Sequence, residues 1–193
     1  MPALQLQPES MTLAQYEALP EDVRVEIFDG IPYNMASPSD AHQTISTELT
    51  TILNHYIRSK NGTCRVYHAP FDVVLADEPR TIVQPDLMIV CDRSRLDGKR
   101  CNGAPDFVIE IVSPGSPSDD YIRKAYYYKY YGVREYWIID PIHKRVFVYE
   151  FEKEDGYRIY SFEDSVPVGI YGGDCVVDFA QIYEEIRFLY KTM

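Results

Sequence analysis

The chain has 193 residues, of which 46% are hydrophobic and 25% charged, and this composition is typical of a globular protein with a substantial core. Its formal net charge of −11 argues against general adhesion to nucleic acids, because Lys and Arg dominate phosphate binding. No segment approaches the roughly 20 apolar residues of a membrane span, and the N-terminus does not resemble a signal peptide. We therefore expect a cytoplasmic protein without membrane contacts.

The spacing of cysteines and histidines predicts no zinc site. None of the four histidines forms an HExxH motif, and no two of the four cysteines form a CxxC pair. Cysteines of cytoplasmic proteins are usually reduced. We predict four free thiols, at Cys64, Cys91, Cys101 and Cys175.

The first half of the chain predicts a hairpin, a long helix and several strands. Thr12 caps a short helix over Leu13–Leu19. Asp29-Gly30 separates two alternating apolar and polar runs, which indicates a β-hairpin. Helical spacing of apolar residues continues from SPSDAHQ to about Ser59, and Asn61-Gly62 ends this amphipathic helix. Three more strands are predicted at TCRVYHA, FDVVLAD and, interrupted by Pro85, Ile82–Val90.

The second half predicts a central strand, a tyrosine-rich helix and further strands. Asp106–Val112 is almost continuously apolar, as in a strand covered on both faces. A helix over Tyr121–Tyr131 stops at Gly132. Three strands (VREYWIID, KRVFVYEF and GYRIYSF) and a closing helix (FAQIYEEIRFLY) follow. The pattern predicts an α/β fold with a mixed central β-sheet flanked by helices. We expect a single domain over 1–193, with its core at about 23–150 and C-terminal strands and the closing helix at 151–193.

Glu110 interrupts the most apolar strand, so it is either part of a buried salt bridge or a metal ligand. Two aspartates that follow prolines, Asp86 and Asp106, could be its partner. Asp106 lies four residues away on the same strand, or roughly 13 Å at about 3.3 Å per residue, which is too far to share an ion. Asp86 belongs to another strand and can lie alongside, so we choose Asp86.

Lys124 has two interpretations. It forms an i,i+4 pair with Asp120, which is typical of an exposed helix surface. It also shares a helical face with Tyr128 and Tyr131, which favours an inward position. Two acids and a lysine that meet in space would form a candidate catalytic site.

These residues carry a family resemblance. The strings PDLMIV, APDFVIEIVSPGS, D-x-x-x-K and GVREYWIIDP resemble the Uma2 family (DUF820), a branch of the PD-(D/E)xK nuclease superfamily. FDGIPYNM and SPSDAHQ extend the resemblance to roughly Glu26–Tyr149. It implies a restriction-endonuclease-like fold, a Mg²⁺ or Mn²⁺ site, DNA endonuclease activity and a homodimer.

The resemblance also implies roles for particular residues. Asp86 and Glu110, with the backbone oxygen of Ile111, would hold the metal, and Lys124 would be catalytic. The superfamily pattern places a lysine two residues after the glutamate, where this chain has Val112. In similar relatives the following helix supplies that lysine, and Lys124 matches its position.

The long helix could contribute further groups. An acid from the first helix completes the metal site in many superfamily members, and Glu48 is the candidate here. A solvated helix acid is the alternative for Glu48. His42 and Gln43 resemble the HQ pair of the family, without an assigned role.

Candidate DNA contacts lie in the loop between the two acid-bearing strands. The basic residues are Arg93, Arg95, Lys99 and Arg100, with Arg123 from the tyrosine-rich helix as an addition. Asp92 and Asp97 dilute this charge, so a solvated loop is the alternative. The tyrosines of the helix either stack on unpaired bases or belong to the core or a subunit interface.

We therefore predict a metal-dependent DNA endonuclease. The net charge of −11 and the absent E-x-K lysine favour a rival reading, in which an inactive nuclease fold serves as a binding module. A second rival is a metal-dependent hydrolase of a smaller phosphoester, which an acidic surface would tolerate better.

Overall fold

Two β-sheets, of five and six strands, organise the chain in a computed structural model that describes residues 10–20, 23–113 and 118–190. The helices are α1 (Leu13–Glu17), α2 (Asp40–Ser59), α3 (Ser118–Tyr131) and α4 (Phe179–Ile186). The strands are β1 (Val25–Phe28), β2 (Ile31–Asn34), β3 (Arg65–His68), β4 (Val73–Asp77), β5 (Arg80–Val83), β6 (Leu87–Val90), β7 (Cys101–Asn102), β8 (Phe107–Ile111), β9 (Glu135–Asp140), β10 (Arg145–Glu150), β11 (Tyr157–Ser161), β12 (Ser165–Pro167) and β13 (Val176–Asp178).

The larger sheet has the order β11-β10-β9-β8-β6-β3 and is mixed. β8 runs parallel to β9, to which α3 connects it, and antiparallel to β6. All five residues of β8 are buried, as the apolar run predicts for a central strand. The predicted mixed α/β architecture is confirmed.

The smaller sheet has the order β2-β1-β5-β4-β7 and changes one prediction. The segment 82–90 is not one interrupted strand, because β5 belongs to the smaller sheet and β6 to the larger one. Pro85 lies between them, and a proline has no N–H for a strand ladder. The chain crosses from one sheet to the other at Gln84-Pro85-Asp86, which fixes the position of Asp86.

The β1–β2 hairpin and α2 form as their sequence signals indicate. Asp29 and Gly30 both have positive φ (50° and 81°), the conformation of a tight two-residue hairpin turn. Ser39 caps α2 by accepting from the N–H of His42 (3.3 Å). Asn61 (φ 52°) is the left-handed residue that ends the helix.

Helices cover both faces of the larger sheet. The buried stripe of α2 packs on one face, together with α4 and the β12–β13 pair. On the other face, Tyr128 of α3 is fully buried, so it is a core residue. Tyr126 and Tyr130 are exposed, so the tyrosines of α3 serve both the core and the surface. None of the helices in the described ranges combines the length and apolar character that crossing a bilayer requires.

The prediction of four free thiols is wrong for one pair. Cys64 and Cys91 form a disulfide, whereas Cys101 and Cys175 are free and buried. Cys64 precedes β3 and Cys91 follows β6, and the antiparallel register that pairs Arg65 with Val90 brings the cysteines opposite each other. Sequence spacing did not reveal this pair, because the two cysteines are 27 residues apart and meet only through strand pairing.

Reducing this disulfide is expected to destabilise the protein by about 2–4 kcal/mol, because the cross-link restricts the unfolded chain. The measurement is urea unfolding with and without dithiothreitol. A Cys64→Ser/Cys91→Ser variant is the control, and its stability should not respond to the reductant. Equal wild-type midpoints in the two conditions would contradict the prediction.

Candidate active site

A cleft of about 210 Å³ contains the three residues that the sequence marks as catalytic. Asp86, Glu110 and Lys124 all line it. The walls come from the β1–β2 hairpin, the start of α2 and the first turns of α3 in its described part. The sequence separates the two acids by 24 residues, and the fold brings them to one place.

Asp86 stands at the crossing between the two sheets, next to Glu110. The antiparallel register pairs Leu87 with Ile109, so one further step places Asp86 across from Glu110. Oδ2 of Asp86 accepts from the Ile111 N–H (2.7 Å) and lies 2.9 Å from Nε2 of His42. These two contacts fix the orientation of the carboxylate.

Glu110 lies on buried β8 with an exposed fraction of only 4%. Its Oε1 accepts from the Tyr128 hydroxyl (2.7 Å) and lies 3.1 Å from Nζ of Lys124. Burial raises the pKa of Glu110 to about 8, although the positive charge of Lys124 opposes this rise. Removal from water therefore outweighs the ion pair, and the metal-free protein holds Glu110 largely protonated at neutral pH.

Lys124 bridges Glu110 and a second acid, Glu26 of β1. Its Nζ lies 2.9 Å from Oε2 of Glu26, and both side chains are about 5% exposed. The other Glu26 oxygen accepts from the Gln84 N–H (3.1 Å). Lys124 therefore contacts acids from two different strands, and its contact with Glu26 is the shorter of the two. Glu26 was not predicted, although an acid inside a strand of otherwise apolar spacing is a usable signal.

The donor atoms of this cleft fit a hard divalent ion. Mg²⁺ in proteins is commonly bound by one or two carboxylates, waters and substrate phosphates. Asp86 and Glu110 supply two carboxylates of this kind. In the described ranges no group of three or more His, Cys, Asp or Glu side chains is arranged to hold a metal ion. The residues therefore suit a site that substrate phosphate completes, and not a closed protein cage.

Comparison with known proteins identifies the family. The Uma2 family, described as "Putative restriction endonuclease", matches residues 13–169, which is most of the chain. The chain belongs to the Uma2 family. A Synechocystis relative, "Uncharacterized protein slr1290", is 22% identical over 141 residues, covering 72% of this chain and 73% of the relative.

A solved structure shows the fold of this Uma2 chain. The crystal structure of "a putative nuclease belonging to DUF820" from Anabaena variabilis superposes with a TM-score of 0.75 at 21% sequence identity. The superposition covers 90% of this chain and 98% of the other. The restriction-endonuclease-like fold that the sequence predicts is confirmed.

The competing aspartate of this Uma2 protein, Asp106, has a different environment. Its Oδ2 accepts from the Cys91 N–H (2.8 Å), and its Oδ1 lies 3.5 Å from Nη1 of Arg134. Asp106 does not line the cleft in the described part of the chain. It ties the end of β6 to the start of β9, which is a structural role.

The candidates on α2 differ in position. His42 and Gln43 line the cleft, and Nδ1 of His42 is buried without a hydrogen-bond partner among the described residues. Glu48 is half-buried and is not part of the described cleft wall. It lies six residues beyond His42, roughly 9 Å along the helix. A role of Glu48 in the metal site stays a prediction.

Most of the predicted basic cluster is engaged within the protein. Lys99 and Arg100 both pair with Glu17 of α1, and the Arg100 side chain is buried. Arg93 and Arg95 donate to the carbonyl oxygens of Thr63 and Ala104. Arg123 is the one member of the predicted set found in the described cleft wall, where its guanidinium lies 4.0 Å from the centre of the Tyr33 ring.

Glu110→Gln is expected to flatten the pH dependence of stability in metal-free protein. The unfolded carboxyl loses its proton near its ordinary pKa of 4.5, whereas the folded one keeps it up to about pH 8. Wild-type stability contributed by Glu110 is therefore full below about pH 4.5 and declines as the pH rises to about 8. The stability of the variant relative to wild type should rise over this interval.

The measurement is the urea midpoint in EDTA at pH 5, 6.5 and 8. The exposed Glu163→Gln is the matched control and should follow wild type. Parallel curves for Glu110→Gln and wild type would refute the raised pKa.

Proposed function

We propose that this Uma2 protein is a metal-dependent DNA endonuclease that hydrolyses phosphodiester bonds. The observation that carries the proposal is the meeting of Asp86, Glu110 and Lys124 in one cleft of a restriction-endonuclease-like fold. The membership of a family described as "Putative restriction endonuclease" supports the nuclease class. The proposal includes Mg²⁺ or Mn²⁺ as the metal, DNA as the substrate and the roles of the site residues.

The proposed chemistry follows from the positions of the side chains. Asp86 and Glu110 would hold a divalent ion, with the backbone oxygen of Ile111 as a further ligand. A bound ion would supply Lewis-acid activation of the attacking water and of the leaving oxygen. Lys124 places an ammonium group 3.1 Å from Oε1 of Glu110, where it would offset negative charge that develops on the phosphorus centre. His42 holds the Asp86 carboxylate in orientation.

Supercoiled plasmid incubated with Mg²⁺ or Mn²⁺ tests the proposal. We expect nicked and linear products with either ion and none in excess EDTA. Preparations of wild type and Asp86→Asn should be purified in parallel, because a contaminating nuclease would cut in both. Intact plasmid after incubation of folded wild-type protein with either metal would count against the proposal.

A metal-dependent hydrolase of a smaller phosphoester is the second candidate. The engagement of Arg93, Arg95, Lys99 and Arg100 within the protein favours it, as does the net charge of −11. Salt separates the candidates, because DNA binding weakens steeply as salt rises and binding of a small ester responds much less. An inactive binding module would bind DNA without cutting it.

Two further assignments are proposed alongside the activity, and the structure holds an observation against a third, the predicted cytoplasmic location. We take residues 1–193 as one domain, because the C-terminal elements share the hydrophobic core of α2. We take the protein as a homodimer, which sedimentation equilibrium tests. A cytoplasmic location is opposed by the Cys64–Cys91 disulfide, since cytoplasmic thiols are kept reduced. Alkylation of the protein inside its source cells, followed by a count of the modified cysteines, tests the location. Four modified cysteines are expected for the cytoplasm.

A further inference from the structure

Two arginines line the same cleft as the proposed catalytic residues. Arg24 lies just before β1, and Arg123 lies on α3 next to Lys124. The two arginines are 99 residues apart in the chain and come from different elements. Nothing in the sequence pattern pairs them, and only Arg123 was among the predicted DNA contacts.

The guanidinium group of Arg24 has only part of its hydrogen-bonding capacity satisfied. Its Nη2 donates to Oε1 of Gln84 (3.3 Å), whereas its Nε is buried and has no hydrogen-bond partner among the described residues. A buried donor without a partner carries a cost of desolvation that a bound acceptor would relieve. Arg24 therefore brings to the cleft wall a cation whose own hydrogen bonds are incomplete.

Arg123 is held in place by aromatic rings. Its guanidinium carbon lies 4.0 Å from the centre of the Tyr33 ring and 5.0 Å from that of Phe28. Stacking on these rings fixes the position of the guanidinium group, whose planar fork matches the geometry of phosphate oxygens. Tyr33 also lines the cleft, so the stacked pair forms part of its wall.

The cleft is less acidic than the chain as a whole. Among the described residues, its lining contains three acids (Glu26, Asp86 and Glu110) and three cations (Arg24, Arg123 and Lys124). The acids contact Lys124, His42, Tyr128 and the backbone N–H groups of Gln84 and Ile111. Even with every acid ionised, this lining has no net negative charge, so a bound divalent cation makes it positive and attracts an anion.

We propose that Arg24 and Arg123 form a phosphate-binding subsite that holds a backbone phosphate of the nucleic-acid substrate beside the acid pair. The proposal rests on the proposed nuclease function, and it names substrate contacts that lie in the cleft itself, apart from the predicted basic loop. Contacts to phosphate position a nucleic acid without reading its sequence. A smaller phosphoester presents the same phosphate group, so the test includes an arm that distinguishes it from a nucleic acid.

Phosphate binding in EDTA tests the subsite without metal or cleavage. Inorganic phosphate is titrated into the full-length protein and followed by proton–nitrogen NMR, including the arginine Nε–H signals. We expect saturable binding and a Kd at least about tenfold higher in Arg24→Gln and in Arg123→Gln, because each removes a charge-assisted bond. Arg93→Gln is the matched control, since Arg93 bonds Thr63 away from the cleft, and its Kd should not change.

The second arm of the test measures the binding of a labelled single-stranded DNA dodecamer by anisotropy in EDTA. Salt-sensitive binding that both cleft variants weaken supports the nucleic-acid source. Phosphate binding without dodecamer binding overturns a nucleic acid as the ligand of the subsite and favours a smaller phosphoester. If Arg123→Gln does not fold, Arg123→Lys replaces it and should bind phosphate several-fold more weakly.

Either of two results overturns the subsite: no phosphate binding by wild type, or equal Kd values for wild type and both cleft variants. Failure of the nuclease proposal is distinguishable, because it is read from Mn²⁺ binding and plasmid cleavage. Phosphate binding that survives in a protein unable to bind Mn²⁺ supports the subsite and sinks the metal-dependent activity.

Discussion

Asp86→Asn is expected to abolish plasmid cleavage while the fold is retained. Asparagine has the shape of aspartate, and its side-chain oxygen can still accept from the Ile111 N–H. It has lost the negative charge, which is what a carboxylate ligand contributes to a divalent ion. We expect cleavage to fall by at least about 100-fold, since even outer-shell changes at metal sites cost roughly 10–100-fold.

Calorimetric titration with Mn²⁺ identifies the cause of that loss. Wild type should bind the ion saturably, and both Asp86→Asn and Glu110→Ala should not, with all three proteins folded by circular dichroism. Asp106→Asn is the matched control, because Asp106 also follows a proline but contacts Cys91 and Arg134 outside the cleft. Undiminished cleavage by Asp86→Asn, or equal losses in the two Asn variants, would remove Asp86 from the site.

The sequence predicts the local elements well because their signals are local. The Asp29-Gly30 turn, the apolar stripe of α2 and the buried run of β8 each depend on neighbours within a few residues. Lys124 was also placed correctly on the inward face, because its helical spacing to Tyr128 is fixed by the helix. The side chain of Asp120, its alternative partner, lies outside the described residues.

Three features that depend on contacts between distant segments were not predicted, although the approach of Asp86 to Glu110 was. The Cys64–Cys91 disulfide, the contact of Glu26 with Lys124 and the division of 82–90 between two sheets all join residues whose separation in sequence says nothing about their distance. The DNA contacts of the basic loop stay a prediction, and the internal contacts of its arginines were missed for a related reason. Arg93 and its neighbours look available in sequence, and only tertiary structure shows what they contact.

The contact of Glu26 with Lys124 shows how a lysine can reach the site although valine stands at the expected lysine position. In the E-x-K pattern the lysine would come from the strand of Glu110, at the position of Val112. Here the proposed catalytic lysine, Lys124, comes from α3 and is anchored by an acid from a third element, β1. The ammonium group therefore depends on a buried ion pair for its position, so the site and the stability of the fold are coupled through Lys124.

Lys124→Met is expected to destabilise the protein by about 3–5 kcal/mol and to abolish cleavage. Met fills a similar volume but leaves Glu26 as a buried charge whose partner has been removed, which is the costly case for buried ion pairs. Glu110 contributes less to this cost, because burial already holds it largely protonated. Urea unfolding in EDTA at pH 7 measures the stability, and the plasmid assay measures the activity.

A second substitution separates the two effects. Lys124→Met/Glu26→Gln removes both charges and should recover part of the stability, whereas cleavage should stay absent because the ammonium group is missing. Lys129→Met, on the exposed side of the same helix, is the matched control and should change stability by no more than about 0.5 kcal/mol. If Lys124→Met is as stable as this control, Lys124 is not the buried partner of Glu26. If the double variant cuts DNA, Lys124 has no catalytic role, and the proposed mechanism then rests on the two acids alone.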